Sequence, residues 1–140
     1  MITSAQYFGF KIKLPDCTLD CRNSAAILLD RVNHLLDEAF MNGSYRDDID
    51  PDTGTQISGS RNGNGDGGFR LLSSTTGALH SAHKLGKAVD VYDPRNELDD
   101  WLTDELLAQF ELYREAPTST QGWCHMQTLA PGSGHRTFIP

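Results

Sequence analysis

Positive charge is sparse in this chain: 12 Lys and Arg stand against 19 Asp and Glu in 140 residues, a net charge of -7. Phosphate binding needs clustered cations, so DNA and RNA are excluded as expected partners. Long apolar runs are lacking too, and no stretch approaches the roughly 20 apolar residues of a membrane span. The opening MITSAQYFGFKIKLPD has no basic start, apolar run or small-residue cleavage site, so the expectation is a chain with no signal peptide, made in the cytoplasm. Cysteine is scarce and odd in number, at three residues, which argues against a disulfide framework. Cys17 and Cys21 are spaced like half a zinc knuckle, but no second pair follows, and both read as small semi-buried residues.

What remains is the composition of one ordinary globular domain over residues 1–140, with 38% hydrophobic and 22% charged residues, enough to bury a single core. From Asn23 to Phe40 the apolar residues recur at helical spacing, which predicts an amphipathic helix capped at Asn23 or Ser24 and stopped by Gly43. Residues 42–68 are dense in Gly, Asn and Asp and read as long loops around a brief strand at Gln56–Ser60. Their acids lack the spacing and closing Glu of a calcium loop. Phe69–Leu72 is a possible strand. Ala88–Tyr92 (AVDVY) alternates as a half-buried strand does, setting Asp90 opposite Val89 and Val91. A second helix is expected after Pro94, capped by Asn96, with Leu98, Trp101, Leu102, Leu106 and Phe110 as its buried stripe. Gly122–Thr128 and Arg136–Ile139 read as closing strands. Helix, strands, helix, strands is the order of an α+β domain, expected here as a small antiparallel sheet with flanking helices.

The densest chemical signal is the segment Ser81 to Asp90 (SAHKLGKAVD) together with Trp123-Cys124-His125 far downstream. Two imidazoles and a carboxylate, His83, Asp90 and His125, make a three-ligand zinc set that leaves one tetrahedral position for water. Gly86 permits the sharp turn that would bring a loop His and a strand Asp to one ion. Taken singly, each residue has a plainer role as a surface His or a paired acid; the ordered pattern is what points to zinc. By alternation Cys124 faces away from the metal. Ser73 and Ser74 have no visible base partner, so a serine hydrolase is unsupported. His80 lies three residues before His83 and is a candidate acid group or support for a ligand.

The segment SAHKLGKAVD resembles the SxHxxGxAxD signature of the D-alanyl-D-alanine carboxypeptidase and dipeptidase family of zinc metallopeptidases. That family includes phage L-alanyl-D-glutamate endolysins and shares its fold with lysostaphin-type enzymes and the hedgehog signalling domain. The resemblance implies zinc at His83, Asp90 and His125. It extends to Ser58-Gly59-Ser60-Arg61, similar to the family's SGxR segment, which implies that Arg61 contacts a substrate or transition-state oxygen; Arg70 is the alternative anion contact. The closing GWCHMQTLAPGSGHRTFIP is similar to the end of many phage and prophage members, and the likeness covers roughly residues 56–140.

One departure stands out. The family carries a Glu three residues before its second zinc His, as general base on the zinc-bound water, and this chain has Gly122 there. Losing a positioned base costs about 10² to 10⁴ in rate. Glu115, on the approach to the His125 strand, is the candidate substitute; its plainer role is an exposed acid at a strand end. Two expectations follow from the resemblance. One is a peptidoglycan stem-peptide hydrolase, reaching the wall by holin release or within a phage particle. The other is a catalytically impaired, zinc-stabilised virion or wall-binding module, with phage structural proteins as its partners.

Overall fold

The computed structural model describes residues 1–59 and 66–140. Its first element, helix α1 (Ser4–Phe8), is fixed by a capping box in which Thr3 and Gln6 satisfy each other's backbone N–H groups. A 3₁₀ segment, Gly9–Lys13, leads to helix α2 (Leu19–Met41). This helix begins four residues before the expected Asn23, because the Thr18 hydroxyl accepts the Cys21 N–H and acts as its N-cap. Removing that oxygen in Thr18→Ala is expected to lower stability by ~1 kcal/mol, read from chemical denaturation. At the far end, the Gly43 and Ser44 N–H groups return to the Phe40 and Ala39 carbonyls and close the helix.

Cys21, Ala25, Leu28, Leu29, Val32, Leu35, Leu36 and Ala39 form the buried stripe of α2. They share one core with Tyr7 and Phe8 of α1, Phe69, and the inward faces of the sheet, among them Val89, Val91, Cys124 and Met126. The two N-terminal elements are tied by Asn33, whose side chain bonds both the N–H and the carbonyl of Ile2.

Among the described residues four strands make the sheet: β1 (Ala88–Tyr92), β2 (Tyr113–Glu115), β3 (Trp123–Gln127) and β4 (Thr137–Phe138), in the order β1-β3-β2-β4. The sheet is mixed rather than antiparallel: β3 runs antiparallel to both β1 and β2, while β4 pairs parallel with β2. After β3 the chain loops over the rim and returns along the free edge of β2, which sets that direction. The stretch around Ile57 contributes an isolated bridge to Val91 instead of a strand, and Phe69–Leu72 is irregular. Backbone bonds explain the latter: the Phe69 N–H goes to Tyr7 and the Arg70 N–H to His83, two different partners.

The expected second helix is two short ones, α3 (Glu97–Trp101) and α4 (Asp104–Gln109). Leu102 turns extended, and the Thr103 hydroxyl caps α4 by accepting the Leu106 N–H. Asn96 does not cap α3; Asp93 does, with its carboxylate accepting the Leu98 and Asp99 N–H groups. Among the described residues no helix is long and apolar enough to cross a membrane.

Candidate metal centre

Strand alternation puts His125 and Asp90 on the same side of the sheet, and the antiparallel register places them directly opposite each other. His83 comes from the 3₁₀ turn Ala82–Leu85, whose exit is Gly86 at φ 70°, packed against the Cys21 carbonyl of α2. The ligand atoms converge: His83 Nε2 lies 3.3 Å from both His125 Nδ1 and Asp90 Oδ1, and the last two are 2.8 Å apart. All three residues are buried, and the group could hold a metal ion. A tetrahedral ion with bonds of about 2.0–2.1 Å has ligand-to-ligand edges of about 3.3 Å, so two of the three edges already have the required length.

The remaining ring nitrogens fix which atom faces the ion. His83 Nδ1 is 2.8 Å from the Gly68 carbonyl, which can only accept, so Nδ1 carries the hydrogen and Nε2 presents its lone pair. His125 Nε2 is 2.8 Å from Gln127 Oε1, while the Gln127 amide nitrogen donates to the Leu129 carbonyl. That second bond orients the amide, so Nε2 of His125 is the donor and Nδ1 the ligand atom. Gln127, two residues along the same strand face, was not among the expected site residues, although period-two alternation is the signal that would find it.

Arg70 also has a defined place. Its guanidinium lies 3.2 Å from Asp90 Oδ2 and donates to the Asp66 and Thr76 carbonyls, and the side chain is buried. This pairing holds Oδ2 away from the ion and leaves Oδ1 as a single ligand atom. Arg70 thus supports Asp90, and it also lines a groove beside it. Arg61 and Ser60 of the SGxR-like segment lie outside the described residues.

Charge follows from this geometry. Burial pushes the Asp90 carboxyl up, but the two imidazoles outweigh it and hold the group well below the ordinary carboxylate range. Burial dominates at His83 and lowers its pKa despite Asp90. At His125 burial acts in the same downward sense, yet the hydrogen bond and charge of Asp90, with Glu115 adding to them, raise it. Without metal, burial disfavours a second proton on His83, and Asp90 Oδ1 accepts the His125 Nδ1–H at 2.8 Å. An arriving cation must displace that proton. Apparent metal affinity is therefore expected to fall by up to about tenfold per pH unit as pH drops through the raised pKa of His125, and to level off above it. Competition with a chromophoric chelator across pH measures this, and a flat profile through that window contradicts His125 as a ligand.

The centre forms part of the wall of a groove of about 840 Å³, flanked by the 76–83 loop and by the 129–140 segment, which contributes Leu129, Phe138 and Ile139. Among the described residues lining it, the only carboxylate side chains are those of Asp90 and Glu115. Glu115, at the end of β2, is partly buried, with Oε1 3.9 Å from His125 Nε2. His80 is exposed and lines the same groove, with no hydrogen bond or ion pair to the three ligands. Cys124 points to the opposite side, into the core, where burial raises its thiol pKa well above normal beside Asp99.

Gly122 sits in the turn before β3 at φ 92°, with its N–H bonded to Asn96 Oδ1 and its carbonyl accepting the Asp93 N–H. A carboxylate side chain at this position meets backbone strain before it meets any neighbour, since no atom lies within 4 Å of where a Cβ would stand. Compared with protein-family models, curated proteins and solved structures, the chain matches none.

Proposed function

We propose that the chain is a zinc-dependent hydrolase of amide bonds in peptidoglycan stem peptides, encoded by a phage or prophage, on the fold of the hedgehog and D-alanyl-D-alanine peptidase group. The observation that carries this reading is a buried His-Asp-His set, each ligand oriented through its other polar atom, in the wall of an open groove that also exposes a carboxylate. Neutral imidazoles with one carboxylate suit zinc, and three protein ligands are the number found at catalytic sites of that metal. Zinc held there supplies a Lewis acid and a water acidic enough to be deprotonated near neutral pH.

The chain's own groups divide the remaining work. Asp90, kept ionised, and Arg70, kept paired to it, fix the charge beside the reacting carbonyl. Glu115 and His80, which line the same groove, are the groups available to move protons, because Asp90 is committed on both oxygens. The loop 76–83 and the segment 129–140 hold the peptide on either side. Arg61 enters by resemblance alone. The Gly122 backbone conformation favours a second reading, a zinc-stabilised virion or wall-binding module that has lost its base.

Muropeptide release from purified cell walls of several types, compared between the wild type and His125→Ala, separates the two. Metal-dependent release by the wild type alone is the expected result. Binding to walls with no release from any of them leaves the module reading in place of the enzyme.

A further inference from the structure

We infer that the N-terminal segment, residues 1–13, is a working part of the metal centre, with Tyr7 and Lys11 as positioning residues acting through the Gly67-Gly68 turn. The inference rests on the metal reading above and explains why its ligands are held so closely.

The turn carries two of the bonds that aim the ligands. The Gly67 carbonyl accepts the Asp90 N–H at 2.8 Å, and the Gly68 carbonyl accepts the His83 Nδ1–H at 2.8 Å. A dipeptide serving two ligands at once needs its own fixed support, and the support comes from the N-terminal segment. The Tyr7 carbonyl takes the Phe69 N–H at 3.1 Å, and the Tyr7 hydroxyl donates to the Ala88 carbonyl at the start of β1 at 2.9 Å. Lys11 Nζ donates to the Phe69 carbonyl at 2.7 Å and lies 3.9 Å from Asp66 Oδ1. Behind these bonds the Phe8 and Phe69 rings pack with centroids 5.2 Å apart.

Contact with Tyr7 is close enough to exclude any side chain at Gly68: a Cβ there would stand 2.5 Å from the Tyr7 carbonyl oxygen. At Gly67 a Cβ would overlap the Ser58 carbonyl. The two glycines are thus clamped between the N-terminal segment and the 56–58 stretch. Displacing either moves a carbonyl that a ligand depends on.

The test uses the full chain, zinc alone as probe, and three variants. Gly68→Ala should weaken zinc binding by about tenfold or more, the usual consequence of losing a partner that orients a metal ligand. In the metal-free protein it should also change the proportion of His83 carrying its hydrogen on Nδ1, read from the ring ¹⁵N shifts. Lys11→Met should move both readouts in the same sense and decides the question if Gly68→Ala does not fold. Leu35→Ala, in the fully buried stripe of α2, should lower thermal stability while leaving zinc affinity and the His83 ring unchanged. The inference is overturned if the variants of the turn lose no more affinity than Leu35→Ala, or if the His83 hydrogen stays where it was. Failure of the wild type to take up zinc would instead strike at the metal reading, and the ¹⁵N shifts of the metal-free chain would still judge the role of the N-terminal segment.

Discussion

A chelator strong enough to strip zinc should lower the stability of the purified protein by ~4 kcal/mol when the metal had been present at about a thousand times its dissociation constant. At this chain length each kcal/mol corresponds to roughly 3–4 °C in the melting midpoint, so a fall of about 12–16 °C is expected by calorimetry. His83→Ala and His125→Ala should reproduce the loss, with metal content dropping from about one equivalent per chain to near none. Asp90→Ala should go further. Its carboxylate is also the partner of the buried Arg70 guanidinium, and stranding a buried charge adds ~3 kcal/mol or more. That variant should therefore be less stable than His83→Ala even in chelator, because the Arg70–Asp90 pair is lost whether or not metal is present. A protein that keeps its full melting midpoint after complete removal of metal contradicts the ligand set.

The second large effect concerns Glu115. Replacing it with Gln keeps the shape and removes the proton acceptor, so the rate of stem-peptide hydrolysis should fall by about 10² to 10⁴ with metal content unchanged. Its position sharpens the test. Glu115 approaches His125 from the Nε2 side, beside Gln127, whereas the ligand atom is Nδ1. If the carboxylate acts only on the ring, Glu115→Gln should weaken zinc affinity and leave turnover of the loaded protein intact. Measuring both quantities on one preparation tells a base from a ring-orienting group.

Much of this architecture follows from short-range pattern. The stripe of α2 and the alternation of AVDVY are visible because each repeats a single period over enough residues to stand out. The start of α2 is hidden because its first turn buries only Cys21, and the cap that sets it, Thr18, lies outside the apolar pattern. The division of α3 from α4 is masked by an apolar period that runs through Leu98, Leu102, Leu106 and Leu107 as if unbroken; the hydroxyl of Thr103 decides otherwise. Helix α1 has a local sign, the Thr3 to Gln6 capping spacing, but it spans too few residues for periodicity. The three candidate ligands could be read from residue type and spacing. Gln127, two residues from His125 on the same strand face, is open to the same alternation; Gly68 and Arg70 are not, because they act through carbonyl and carboxylate contacts 15 and 20 residues away that composition does not encode. The parallel β2–β4 pair is of the same kind, since it depends on where a loop returns.

The pairing of β1 with β3 also sets a timetable. Between these neighbours in the sheet lie α3, α4 and β2, and Asp90 is 35 residues from His125. During synthesis a chain that has emerged only to β2 carries His83 and Asp90 without their third ligand, and the groove has no outer wall. Closing so long a loop is entropically costly, and the antiparallel β1–β3 ladder is what holds its two ends together in the folded chain. An ion held by all three residues can therefore be bound only once β3 has been made and laid beside β1.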